Sequence, residues 1–148
     1  MKIKLMVISL VMSTIVWSQD RVFWQKQRTN TNTVVKESHL SLKEYHTFSL
    51  SSHALKESLS NVIQRSQFSV TSNTILSFPN AEGKLERFRI KEASVMHPDL
   101  QERFPEIRSY VGQGVDDASS ILRFSMSPEG FSGMIISPKG NTFIEPIS

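Results

Sequence analysis

Apolar and polar residues alternate along much of the chain beyond residue 70, which predicts β-strands. The clearest case is residues 85–93, where Phe88 and Ile90 fall on one side and the residues between and beside them are basic. Alternation over this length is typical of a strand with one buried and one solvated face. The same reasoning predicts strands at residues 74–78, 106–111, 120–127, 131–137 and 141–145, and shorter extended segments around Leu40, Leu42, Phe48 and Leu50.

Turn-forming residues separate these predicted strands. Residues 79–83, 128–130 and 137–140 each combine a proline, which fixes one φ, with a glycine, which accepts positive φ. Strands at a spacing of about ten residues with such turns between them favour an antiparallel meander. The residues expected to point into its core are Phe88, Ile90, Phe124 and Phe131.

Two segments carry helical rather than strand periodicity. Ser51 and Ser52 are candidate N-cap residues, and aliphatic residues recur at helical spacing after them. This spacing predicts one amphipathic helix with these residues on one face: Leu55, Leu59, Val62 and Ile63. A short helical turn is predicted at residues 98–104, with Pro98 at its first position and Pro105 ending it. The predicted fold class is α+β, mainly antiparallel β: a meander sheet with one amphipathic helix and a short helical turn.

The first 18 residues read as a signal peptide. Lys2 and Lys4 precede a mostly apolar run at residues 5–16, and Ser18 offers a small residue for cleavage. The run is shorter than the roughly 20 residues that cross a bilayer. We therefore expect removal of residues 1–18 on export and a secreted, periplasmic or cell-surface protein, without a membrane contact after cleavage.

The remaining chain divides into two parts by composition. Residues 19–38 are predicted to be a polar N-terminal extension, since residues 28–33 alternate threonine and asparagine after an arginine. Val22, Phe23 and Trp24 either pack locally or dock on a partner, and local packing is favoured. Residues 39–148 form the predicted β-rich domain. Because a strand runs almost to Ser148, we expect the folded unit to continue beyond it.

Composition excludes several classes of function. Of the 17 basic residues, two lie in the predicted signal peptide, which leaves 15 against 14 acidic residues and a net charge of about +1. No basic stripe with interleaved aromatic residues is present, so no nucleic-acid partner is expected. The absence of cysteine excludes disulfides and thiolate metal sites, and it leaves no cysteine that could be acylated as a lipid anchor.

The residues most often used in catalysis do not form a recognisable motif. The histidines do not occur as His-x-x-x-His or within HExxH: His39, His46, His53 and His97. Asp116 and Asp117 are adjacent, but the alternate acids and closing glutamate of an EF-hand do not follow, and solvated turn carboxylates are the favoured interpretation over calcium ligands. Gly112 and Gly114 are not followed by the third glycine of a nucleotide fingerprint, and no Gly-x-Ser-x-Gly elbow occurs. No catalytic, cofactor-binding or metal-binding residue is therefore predicted in this chain.

One sequence of segments resembles a known family. The chain contains, in this order, FRIKEASVM, PDL, FPEIRSY, GQGVDD and FIEP at residues 88–96, 98–100, 104–110, 112–117 and 143–146. This succession of segments resembles the pro-region of secreted reprolysin-like (metzincin) zinc metalloproteases from Bacteroidetes. The resemblance covers roughly Tyr45 to Ser148. Its most specific part is Phe-Pro-Glu-Ile-x-x-Tyr with the glycines that follow.

The resemblance implies a partner rather than an active site in this chain. In that family the pro-region precedes a catalytic domain with HExxHxxGxxH, which holds the zinc and which this sequence does not contain. The implied function is to assist folding or latency of that downstream domain in cis. Related pro-regions use a cysteine for latency, so here latency would be steric or use a carboxylate or imidazole. The open alternative is a free-standing exported β-module that binds peptide or glycan, and an enzyme in its own right is a third class.

Overall fold

The computed structural model describes residues 23–28, 45–62 and 72–147. Two short strands and a helix come first: β1 (Trp24–Lys26), β2 (Phe48–Leu50) and α1 (Ser52–Leu59). They are followed by β3 (Ile75–Pro79), β4 (Leu85–Glu92), α2 (Pro98–Arg103), β5 (Arg108–Gly114), β6 (Ile121–Ser127), β7 (Gly130–Ser137) and β8 (Gly140–Ile144). The predicted signal peptide, the segment around Leu40 and Leu42, and Ile63 lie outside the described residues.

The six later strands form one antiparallel sheet in chain order, β3-β4-β5-β6-β7-β8. Each strand pairs with the next one along the chain, so the sheet is a meander whose edges are β3 and β8. β1 and β2 pair with each other in a separate two-stranded ribbon. The predicted fold class is confirmed: the protein is α+β and mainly antiparallel β, with α1 as the longer helix and α2 as the short helical turn that starts at Pro98.

One face of the six-stranded sheet, here called the inner face, carries the core. Phe88 and Ile90 are both fully buried on it, as the alternation in β4 predicts. Phe78 lies at the centre, with its ring centroid 5.0 Å from that of Phe124 and 5.9 Å from that of Phe131. Aromatic pairs at such distances add to the free energy gained by burial. The four residues predicted to point inward do so.

The inner face is covered by β1, β2 and α1. Trp24 lies in the core with its ring centroid 5.2 Å from that of Phe131, and Phe23 beside it is also buried. Leu55 and Leu59 of α1 are buried in the same cluster. Phe23 and Trp24 therefore pack into the core formed by the later strands, and the core draws both from the segment predicted to be an extension; Val22 lies outside the described residues.

Several predicted element boundaries were wrong. α1 ends at Leu59, not at residue 63, although Val62 still packs against the core from beyond the helix end. Pro79 closes β3 and does not begin the turn, because an edge strand tolerates a residue without an N–H. Residues 106 and 107 belong to the turn after α2, where the Ile107 N–H donates to the Phe104 carbonyl at 3.2 Å.

The largest shift is at the end of β5: the strand was predicted to end at residue 111, but it continues through Gly112 and Gly114. A Cβ on Gly112 would be 2.9 Å from Phe88 Cβ and from Ile90 Cδ1, closer than side chains pack. A Cβ on Gly114 would meet the backbone carbonyl of Asp117. The glycines are thus strand residues whose missing side chains leave room for the neighbouring strand and loop.

The predicted turn between β3 and β4 is confirmed. Gly83 has a φ of +70°, a conformation that glycine adopts without strain. Asn80 closes the turn with its side chain, since Oδ1 accepts hydrogen bonds from the Glu82 and Lys84 N–H groups at 3.1 and 3.0 Å. Elsewhere, neither of the helices in the described part of the chain is long and apolar enough to cross a membrane.

Candidate functional site: a groove on the outer face

The face of the sheet that points away from the core is concave over β4 to β8. The loop at residues 93–97 and α2 rise beside it and enclose, with the strands, a groove of about 1120 Å³. We call this concavity the outer groove. It is lined by residues of the loop and α2, of β4 and β5, of β6 and β7, and of β8 and the residue that follows it.

The floor of the outer groove is a row of serines. Ser109 of β5 is paired with Ser125 of β6, which is paired in turn with Ser132 of β7. Paired residues on neighbouring strands point to the same face, so the three hydroxyls line up across the sheet. Small side chains in this row leave the space that the groove occupies, and their hydroxyls offer both donors and acceptors.

A second row runs beside the serines and is more apolar. Val111, Arg123, Met134 and Phe143 are paired in succession from β5 to β8. Arg123 is exposed, and Phe143 at the open end of the row is 65% exposed. Apolar residues at outward positions of an antiparallel sheet have no core to enter, so they are candidates for contact with another molecule.

The wall opposite this row is fixed by Gln101 of α2. Its Nε2 donates to the backbone carbonyls of Phe104 and Ile107 at 3.1 and 2.8 Å, and its Oε1 lies 3.1 Å from Ser94 Oγ. These contacts tie the loop, the helix and the start of β5 together. Val95 stands on this wall and is 80% exposed, so apolar side chains flank the groove on both sides.

An ion pair lies at one end of the outer groove. Arg108 Nη1 donates to Glu92 Oε1 at 2.7 Å, and this hydrogen bond, partly opposed by burial, raises the pKa of the Arg108 guanidinium. Tyr110, the residue paired with Glu92, is buried and stacks on Phe124 with ring centroids 4.9 Å apart. Burial raises the pKa of the Tyr110 phenol, since the tyrosinate would lose its solvation.

The three histidines in the described part of the chain belong to different local structures. His46 packs over the turn at Gly83, and His53 is exposed on α1. His97 caps α2, where Nδ1 accepts a hydrogen bond from the Asp99 N–H at 3.4 Å. His39 lies outside the described residues. None of these three histidines lines the outer groove.

The adjacent carboxylates both have local partners. Asp116 accepts two hydrogen bonds from the Arg87 guanidinium, at 2.6 and 3.1 Å, and these lower its pKa. Asp117 accepts from the Ser119 hydroxyl and N–H, which lowers the pKa of Asp117 in turn. The pair thus stabilises the loop between β5 and β6. Within residues 23–28, 45–62 and 72–147 there is no group of three or more His, Cys, Asp or Glu that could hold a metal ion.

The outer groove is suited to binding an extended surface of another molecule. It offers a row of hydroxyls, a row with exposed apolar atoms and the charged side chains of Arg123 and Glu145. The sequence reasoning named no site residue and did not anticipate this groove. A usable indication was present, because Val111, Met134 and Phe143 occupy outward positions of alternating strands where polar residues are the rule.

Comparison of the chain with protein-family models, with curated proteins and with solved structures found no match.

Proposed function

We propose that this chain is the pro-region of a secreted zinc metalloprotease and that it assists the folding or latency of a catalytic domain that follows it in the same polypeptide. In this proposal the signal peptide at residues 1–18 directs export to the cell surface, the periplasm or the medium. Zinc belongs to the catalytic domain, and the pro-region contributes a binding surface and no chemistry of its own.

The observation that carries the proposal is where the family-like segments lie. Residues 88–96, 98–100, 104–110 and 143–146 resemble the metalloprotease pro-regions, and together they supply more than half of the residues that line the outer groove. They come from β4, the loop with α2, and β5, which are consecutive, and from β8, which is separated from them by β6 and β7. Their meeting at one concave surface supports a shared role in binding.

A binding surface is sufficient for both proposed activities. A pro-region that contacts only the native catalytic domain shifts its folding equilibrium toward the native state by mass action. The same contact placed over a substrate cleft excludes substrate from it. Because the chain contains no cysteine, latency would depend on coverage of the cleft or on an oxygen or nitrogen ligand to zinc.

The first test is the coding sequence downstream of residue 148. An open frame that contains HExxHxxGxxH supports the proposal, and a stop codon directly after Ser148 contradicts it. The second test expresses that catalytic domain with and without residues 19–148 and then adds the separate chain in trans. We expect a higher yield of soluble domain with the pro-region and lower casein hydrolysis when the chain is added. Equal yield and unchanged hydrolysis would refute the proposal.

A second candidate function is a free-standing exported module that binds peptide or glycan. The row of serine hydroxyls next to exposed Phe143 favours it, because hydroxyls and an aromatic ring are groups that such ligands use. A stop codon after Ser148, together with a stable monomer that binds peptides or oligosaccharides in a screen, would support this function over the pro-region.

A further inference from the structure

We propose that the partner polypeptide binds by adding an extended strand to the free edge of β8, with a basic side chain next to Glu145 and apolar side chains next to Phe143 and Ile144. This inference deepens the proposed function and rests on it for the source of the strand, a segment of the catalytic domain. It concerns the mode of contact and the chemistry of the segment that is recognised.

The two edges of the sheet differ in how they are protected. At the β3 edge, Pro79 closes the strand without an N–H, and the chain just before the strand is held to β4, where Arg89 Nη1 donates to the Ser72 carbonyl at 2.7 Å. β8 itself contains neither proline nor a charged residue, and Glu145 and Pro146 come only after its last residue. Native proteins protect edge strands with prolines and charges, so an edge without them is suited to pairing with another strand.

The backbone of β8 can accept such a strand. Within the described part of the chain β8 pairs only with β7. The register runs from Ser137 opposite Gly140 to Gly133 opposite Ile144. In an antiparallel pair, successive residues direct their N–H and C=O groups alternately toward the neighbour and away from it. About half of the polar backbone groups of β8 therefore point to the open side, where strand addition satisfies them.

The side chains at this edge set the specificity. Phe143 and Glu145 are exposed, and both line the outer groove, so residues of an added strand opposite them extend that groove at its β8 side. Ile144 points to the inner face and packs against the core. An apolar residue opposite Phe143, a second one toward Ile144 and a basic residue opposite Glu145 complement these three positions.

The same chemistry argues against a second copy of this chain as the occupant. Residues 140–148 contain no lysine or arginine, so the β8 strand of another copy offers no cation to Glu145. A strand from a different segment with its own basic residue fits better. Self-association through β8 is nevertheless one outcome that the experiment distinguishes.

The experiment uses three fluorescent peptides of about ten residues with strand-forming sequences. The first places leucine and arginine two residues apart, the second has glutamate in place of the arginine, and the third has proline between them. We expect fluorescence anisotropy with the full chain to show about fivefold tighter binding of the arginine peptide than of the glutamate peptide. The proline peptide should not bind, and bound arginine peptide should slow amide exchange in β8.

Variants at the two edges provide matched controls. Phe143→Ser should weaken binding of the arginine peptide, whereas Ile75→Ser, at an outward apolar position of the opposite edge strand, should not. Glu145→Lys should reverse the preference toward the glutamate peptide, and Glu106→Lys, an exposed acid in another loop, should leave it unchanged. Each of these residues is partly or fully exposed, so the variants should fold.

Fusion of the peptides to the chain tests for binding that is too weak to detect by anisotropy. Each peptide is fused after Ser148 through a flexible Gly–Ser linker, which raises its effective concentration to about the millimolar range. We expect the arginine tether to raise Tm above that of the glutamate tether. Equal Tm values together with equal anisotropy for all peptides would overturn the proposal, and so would a dimer that is lost in Phe143→Ser.

The outcome can be separated from that of the proposed function. If the catalytic domain requires the pro-region for yield, and Phe143→Ser and Glu145→Lys in the full precursor leave the yield unchanged, the strand-addition proposal fails while the pro-region function stands. If the peptides bind as expected and the catalytic domain is indifferent to the chain, the proposed function fails instead.

Discussion

The two faces of the six-stranded sheet are made by alternate residues of the same strands and have opposite properties. On the inner face, Phe78, Phe124 and Phe131 pack their rings together and exclude water. On the outer face, Ser109 and Ser125 line an open groove. Neighbouring residues of one strand thus contribute either to the core or to the lining of the groove.

This division means that the two properties can be changed independently. Burial of large apolar side chains on the inner face provides most of the free energy of folding, at about 25 cal/mol per Å². Outer-face side chains of β4 to β8 are partly buried or exposed and none belongs to the buried core, so their identity is less constrained by folding. Substitutions on the two faces are therefore expected to differ strongly in their effect on unfolding.

The largest effect is expected from truncation in the core. Phe88→Ala removes a fully buried ring and should lower the free energy of unfolding by about 3–5 kcal/mol, much of what a small domain has. Arg123→Ala, at an exposed outer position, should change it by less than about 0.5 kcal/mol. Urea denaturation measures both. Similar losses from the two variants would contradict the assignment of the faces.

A glycine position gives an intermediate effect. The Cβ of Gly112→Ala would be 2.9 Å from Phe88 Cβ, so the strands must shift, at a cost of about 1–3 kcal/mol. Ser125→Ala on the outer face keeps the Cβ and should stay within about 0.5 kcal/mol of the parent. Thermal unfolding of the two proteins checks this, and a neutral Gly112→Ala would mean that the inner face is less tightly packed there than the distances indicate.

The inner face should also make stability sensitive to alkaline pH. Burial raises the pKa of Tyr110 in the folded chain above its ordinary value of 10.0, so the folded state holds this proton more tightly than the unfolded state. Its contribution to stability is complete below about pH 10 and is lost as the pH rises through the higher pKa of the folded state. Tyr110→Phe should therefore lose less stability above pH 10 than the parent, as measured by urea denaturation at several pH values. Identical pH profiles would contradict a buried phenol.

Substitutions in the outer groove are expected to change the free energy of unfolding least and the proposed function most. Ser125→Leu places a larger side chain on its floor, and Ser77→Leu makes the same change on the outer face of β3, away from the groove. Both should change the free energy of unfolding by about 0.5 kcal/mol or less. If the proposed function holds, only Ser125→Leu should lower the yield of the proposed catalytic domain or weaken its inhibition by the chain. If both variants behave alike there, the outer groove is not the surface that binds it.

Some features of the fold followed directly from residue patterns. The alternation around Phe88 and Ile90 predicted which face of β4 is buried, and the proline and glycine residues predicted the turns that join β6, β7 and β8. These features depend on neighbours within about ten residues, for which sequence is a sufficient guide. The end of α1 was not predicted, because the aliphatic spacing continues to Val62 after the helix itself has stopped.

The groove depended on the tertiary structure. The sequence by itself determined a β-rich chain with a meander order and a core of phenylalanines. Only the pairing of strands decided that Ser109, Ser125 and Ser132 line up, and that Gly112 lies in a strand under its bulky neighbours. Periodicity in the sequence predicts the face of the sheet that a residue occupies. The register between strands is set by contacts between residues that are distant in sequence, and this register decides which outward side chains become neighbours in the groove.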